Sequence, residues 1–265
     1  MALSSTLSHL AIGFTDGSIL LYRHLDQSLA SSGSLSTLPK PRTIYENPTE
    51  PITGLGFKEP GEEHANLSLF IVTTNRVLLY HAAGKGSGGP PAVVDEVGCG
   101  LGCASMDSQS ANVIVAREEA IYVCGTDGRG PSYAYEGTKS SIHTHETYLV
   151  IVSPPFIPRA TSASATVRNF VARTINADES DITKLTVFDP ENKLVAHSGT
   201  IRNGVREIIS AWGELYVLTN DGEVCCSASA RIQVTEIWSS FCTSKNTLPL
   251  PNFPCFMNVL SMVLH

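Results

Sequence analysis

The chain has 265 residues, of which 42% are hydrophobic and only 16% charged, with a net charge of −7. The charged share lies well under the ~25% usual for globular proteins. The acidic balance excludes general nucleic-acid binding, which needs a basic face to displace counterions. The seven cysteines form no C-x-x-C pair, which argues against a zinc knuckle or ribbon and for reduced thiols in the cytosol. The opening MALSSTLSHLAIGF lacks the basic start of a signal peptide. The apolar stretch Phe253–Leu264 is shorter than the ~20 residues that span a bilayer.

One unit recurs along the chain: an apolar β run, a short polar turn, and a second apolar β run. It occurs at Leu10–Arg23, Leu69–Tyr80, Asn112–Cys124 and Trp212–Cys225, and a further copy joins Thr147–Val152 to Ile182–Phe188 across a long insert. The units start ~35 to 65 residues apart, which brackets the ~40–45 of a four-stranded blade. The expected fold class is therefore all-β: a WD40-like β-propeller, incomplete, with about four to five blades.

In chain order, the first unit predicts strands at Leu10–Phe14 and Ser18–Tyr22 around an Asp16-Gly17 turn, where Gly accepts the positive φ of a tight hairpin. It lacks an obvious innermost strand. Asp26–Arg42 reads as a loop and Thr43–Tyr45 as an outer strand. The second unit opens at Ile52–Phe57 and turns near Thr74-Asn75, and Gly84–Pro91 is a flexible excursion. The third opens at Leu101–Met106, turns at Arg117–Glu119 and closes with Ser132–Tyr135. The fourth opens near Ser140–His145, and Phe156–Ser180 reads as a mobile surface loop inside it. The fifth opens at Val205–Ser210, turns at Asn220–Gly222 and loses its pattern after Cys226. No helix-period stretch stands out. The expected division is a partial propeller over 1–226 and a disordered or irregular tail over 227–265.

Candidate chemistry is sparse. His143-Thr144-His145-Glu146 puts two imidazoles on one strand face, but a metal site needs further ligands and none is visible, so two ordinary histidines near a strand end are favoured. Gly84–Gly89 lacks the order of a phosphate loop, and Pro90-Pro91 blocks the helix such a loop requires. Gly98–Cys103 fails the dinucleotide pattern, so Cys99 and Cys103 read as small buried residues, with a redox pair as the minor alternative. Tyr133 and Tyr135 alternate onto one strand face and are expected in the core, and Asp189–Asn192 is expected as a turn between the third and fourth strands of a blade. Asp127–Pro131 (DGRGP) is either a blade connection or a partner-contact loop, with Asp127, Arg129 and Pro131 as the contact residues. No nucleophile elbow occurs, and no catalytic, cofactor-binding or metal-ligating residue is assigned.

Six segments carry a family resemblance: Pro51–Phe57 (PITGLGF), Asp95–Cys103 (DEVGCGLGC), Val115–Tyr122 (VAREEAIY), Asp127–Gly137 (DGRGPSYAYEG), Tyr148–Pro155 (YLVIVSPP) and Asp181–Val195 (DITKLTVFDPENKLV). Together they resemble the N-terminal propeller of the vacuolar protein sorting-associated protein 11 family, the Pep-five type subunits of the HOPS and CORVET tethering complexes. The resemblance covers approximately residues 10–224. It implies a propeller that precedes an α-solenoid and a RING finger, with no catalytic residue of its own. It implies docking and fusion of endosomal, vacuolar and lysosomal membranes, and a cytoplasmic protein peripheral on those membranes. The implied partners are the other tethering subunits and, through them, small GTPases and SNARE proteins. From Cys225 onward no match is visible, and Val224-Cys225 is what GTATGT, a common fungal intron start, would encode. The tail is therefore expected to be a translated intron or a misread gene model, and the source fungal. Two other classes remain open: a metal-dependent propeller hydrolase, which requires acidic or His residues on several inner strands, and a truncated fragment without function.

Overall fold

The computed structural model describes residues 1–32, 39–61, 66–83, 88–107, 109–154 and 182–227. The chain divides into two units, Met1–Ile232 and Gln233–His265, and every described residue lies in the first. The segments Phe156–Ser180, Gly84–Ser87 and the tail beyond 227 lie outside the described residues.

Five antiparallel sheets follow one another in sequence order. The first holds β1 (Ala2–Leu3), β2 (His9–Gly13), β3 (Ser18–Arg23) and β4 (Arg42–Glu46). The second holds β5 (Ile52–Lys58), β6 (Leu67–Thr73), β7 (Val77–Ala83) and β8 (Ala92–Asp95). The third holds β9 (Ala104–Met106), β10 (Val113–Ala116), β11 (Ala120–Gly125) and β12 (Gly128–Ala134). The fourth holds β13 (Ser141–His145), β14 (Tyr148–Ser153), β15 (Thr183–Asp189) and β16 (Leu194–Ile201). The fifth has three strands, β17 (Val205–Ala211), β18 (Glu214–Thr219) and β19 (Val224–Ser227). The opening strands touch in succession: β1 and β2 meet β5, β5 meets β9, β9 meets β13, and β13 meets β17. Successive up-and-down sheets whose first strands line one axis make a β-propeller, with each sheet a blade.

Burial explains the strand sequences. A middle strand is covered by the blades on either side, so both of its faces must be apolar. All seven residues of β6 (LSLFIVT) and all four of β10 (VIVA) are buried. Alternation then divides β6 between two cores. Leu69 and Ile71 join Ala11, Ile19, Leu21 and Tyr80 between the first and second blades. Phe70 and Val72 join Val113, Val115, Ile142 and Phe188 toward the third and fourth. Each fully buried Leu, Ile, Val or Phe among them contributes about 1.5–3 kcal/mol. The outermost strands β8 and β12 are mostly exposed.

Glycines set the spacing near the axis. A Cβ on Gly54 of β5 would lie 2.6 Å from the Ala104 Cβ of β9, and one on Gly56 would lie 2.1 Å from the Met106 Cγ. The ITGLGF segment thus lets two inner strands approach more closely than side chains allow.

Three expectations change. The innermost strand of the first blade exists as β1, with only Ala2 and Leu3 paired to Ala11 and Leu10. Within the expected Asp26–Arg42 loop, α1 (Leu25–Ser32) forms, with Leu25 buried and Asp26 in the first turn, where its charge favours the helix dipole. The outer strand of the third blade starts at Gly128 rather than Ser132, so most of DGRGP is strand.

Candidate functional site

Asp127 occupies a two-residue turn, since Gly125 pairs with Gly128 across the β11–β12 hairpin. Gly128 has φ 130°, a conformation open to glycine. Beyond it, β12 carries Arg129 and Pro131, and Gly130 and Pro131 fall where the register with β11 shifts between Tyr122 and Cys124. The turn and strand line an open groove of about 400 Å³ together with Lys58, Ser110, Asn112 and Val123. Asp127, Arg129 and Pro131 therefore do share one surface feature. The bulge and the proline, which has no N–H, both blunt this edge against addition of another strand.

Arg129 has a second engagement. Its Nη2 donates to Asp95 Oδ1 at 2.5 Å, its Nε pairs with Asp95 Oδ2, and its guanidinium lies 4.9 Å from the Tyr122 ring centre. Asp95 ends β8 in the second blade, and it also accepts the Val97 N–H at 3.0 Å and the Cys124 thiol at 3.8 Å. Arg129 is thus a clamp between the second and third blades, not a free loop cation. The Arg129 hydrogen bonds hold the Asp95 carboxyl below the usual carboxylate range. The Asp95 side chain is 4% exposed and that of Arg129 43%, so water screens the cation but not the carboxylate. Loss of the guanidinium would leave a buried carboxylate unpaired, at about 1–3 kcal/mol.

Polar contacts also cross the other seams. Glu50, buried just ahead of β5, accepts from Arg76 Nε at 3.0 Å, from Tyr45 Oη of the first blade at 3.3 Å and from Thr73 Oγ1 at 3.3 Å. Its carboxyl is lowered, chiefly by the Arg76 hydrogen bond. Lys139, buried just ahead of β13, donates to the carbonyls of Arg117, Glu118, Tyr135 and Gly137. At the fourth seam, His145 Nδ1 lies 2.7 Å from Ser210 Oγ of β17. Spacing gave no sign of Glu50, Asp95 or Lys139 as a set. The available signal was a charged residue two positions ahead of an inner strand (Glu50 and Lys139), or closing an apolar outer one (Asp95).

The remaining candidates are structural. His143, on β13, hydrogen-bonds Ser141 Oγ at 3.2 Å, and burial lowers its pKa. Cys99, Cys103 and Cys124 are buried free thiols, and burial pushes Cys99 up to about 12 and Cys124 to about 11. Such thiols are inert as nucleophiles. Tyr133 and Tyr135 pack edge-on against Phe188, with ring centres at 5.7 and 6.1 Å. A second open cavity, of about 300 Å³, is lined by Thr74, Gly98–Gly100 and Ala116–Glu119. Among the described residues no three His, Cys, Asp or Glu are grouped to hold a metal ion.

The model of the PEP5/VPS11 N-terminal family matches residues 1–228. This chain belongs to that family. It is 35% identical over 227 residues to the human vacuolar protein sorting-associated protein 11 homolog, covering 84% of this chain and 22% of the relative. The Dictyostelium discoideum homolog is 26% identical, over 82% of this chain and 23% of the relative. The chain thus spans about a fifth of the length of these relatives. Among solved structures, BBS1N in complex with ARL6DN superposes with a TM-score of 0.51 at 14% identity, covering 83% of this chain and 61% of that one. BamB from Moraxella catarrhalis gives 0.50 at 12% identity, covering 85% and 56%. At these identities the likeness carries the propeller fold alone.

Proposed function

We propose that this chain is the non-catalytic docking propeller of a membrane-tethering subunit, acting in vesicle docking and fusion at endosomal and vacuolar or lysosomal membranes. In this reading it joins the other HOPS and CORVET subunits, meets small GTPases and SNARE proteins only through them, and is peripheral on the cytoplasmic side of those membranes. Family membership supports the sorting role. The observation that carries the non-catalytic reading is the use of the buried charges. Glu50, Asp95 and Lys139 are each engaged by partners at a blade junction, so none is left to face a cavity as an acid, base or nucleophile. The contact surface is the groove at Asp127 and Pro131, with Arg129 anchoring the strand beneath it.

The test is immunoprecipitation of the endogenous, tagged protein followed by mass spectrometry. Recovery of the other tethering subunits is expected, and reversing the exposed charge with Asp127→Arg should reduce their yield severalfold without lowering the level of the protein itself. Recovery of no other tethering subunit would refute the reading.

A further inference from the structure

Lys139 is the only lysine or arginine among the buried described residues, at 8% exposure. Its Nζ lies 2.5 Å from the Arg117 carbonyl oxygen, 2.6 Å from that of Tyr135, 2.8 Å from that of Gly137 and 3.2 Å from that of Glu118. An ammonium has three protons, so four acceptors exceed its donors. A shell of main-chain carbonyls around one positive centre is the ligand set that strips water from a potassium ion. None of the four is a carboxylate, so the shell lacks the anionic oxygens that a protein site for calcium or magnesium supplies. The Tyr135 ring, its centre 5.1 Å from Nζ, adds a further attraction for a cation. Two of the carbonyls come from the β10–β11 turn of the third blade, and two from the linker to the fourth. With no charge at their centre, four converging carbonyl dipoles would repel one another and lose their solvation.

We infer that these four carbonyls form a monovalent-cation site, which the chain fills with its own Lys139 ammonium and which fastens the third blade to the fourth. The positive charge, rather than the aliphatic stem, is what the site requires. A free potassium or ammonium ion takes the position when the side chain is removed.

The experiment is thermal unfolding of the full chain, followed by near-UV circular dichroism at constant ionic strength in chloride salts of choline, potassium and ammonium. In choline, Lys139→Ala and Lys139→Met should both unfold about 5–10 °C below the wild type. Potassium or ammonium should restore a saturable part of that loss in Lys139→Ala only, since the methionine stem occupies the space. The wild type should not distinguish the salts. A Lys139→Met protein as stable as the wild type would overturn the inference. So would a Lys139→Ala protein that fails to fold, or gains nothing, in all three salts.

Discussion

At the residue scale, buried charges and imidazoles give the propeller its sensitivity to pH. Burial, reinforced by Arg23 and His24, lowers the pKa of His9 from its ordinary 6.5, and burial lowers that of His143. The folded chain therefore binds fewer protons there than the unfolded chain does. This contribution is complete above about pH 6.5 and is lost as pH falls through that value toward the lower folded pKa. Asp95 and Glu50 are lowered by their arginine partners, so their contribution persists to about pH 4 and is lost below it, as the unfolded chain takes up protons that the folded carboxylates do not. The unfolding temperature should fall in two steps on acidification, and His9→Gln should flatten the first of them. A flat profile between pH 7.5 and 5 would contradict the assignment. These residues were the least legible in the sequence. A buried charge is defined by its partner in space, and Asp95 and Arg129 stand 34 positions apart.

At the element scale, the strands were legible because each blade imposes two periods at once: continuous apolar runs in the middle strands and a fading pattern outward. All four short hairpins lie where the polar turns placed them. What escaped was too short or too locally polar to carry a period. β1 has two residues, and α1 is eight residues of LDQSLASS. In DGRGP, glycine and proline signal a turn, whereas at an outermost strand they mark a bulged and blunted edge. The ITGLGF glycines belong to the family resemblance, and the close approach of β5 to β9 gives their physical reason. Gly54→Val should force the second and third blades apart and cost about 1–3 kcal/mol, or several degrees in unfolding temperature. Gly100→Ala, where an added Cβ meets nothing within 4 Å, should leave that temperature unchanged. Equal losses from the two substitutions would show that the glycines matter through backbone freedom rather than inter-blade spacing.

At the scale of the whole molecule, five consecutive sheets are joined by apolar cores and by polar ties at each seam, among them Glu50, Asp95 with Arg129, Lys139, and His145 with Ser210. The fold class was readable from repetition alone, while the family was readable only from particular segments, DGRGPSYAYEG above all. The most direct test is the binding of the purified 265-residue chain to purified HOPS and CORVET subunits, followed by biolayer interferometry. Saturable binding is expected, weakened at least tenfold by Asp127→Arg with no change in unfolding temperature. A well-folded chain that binds none of those subunits, or one that binds them equally well with Asp127→Arg, would contradict the claim that this groove is a docking surface.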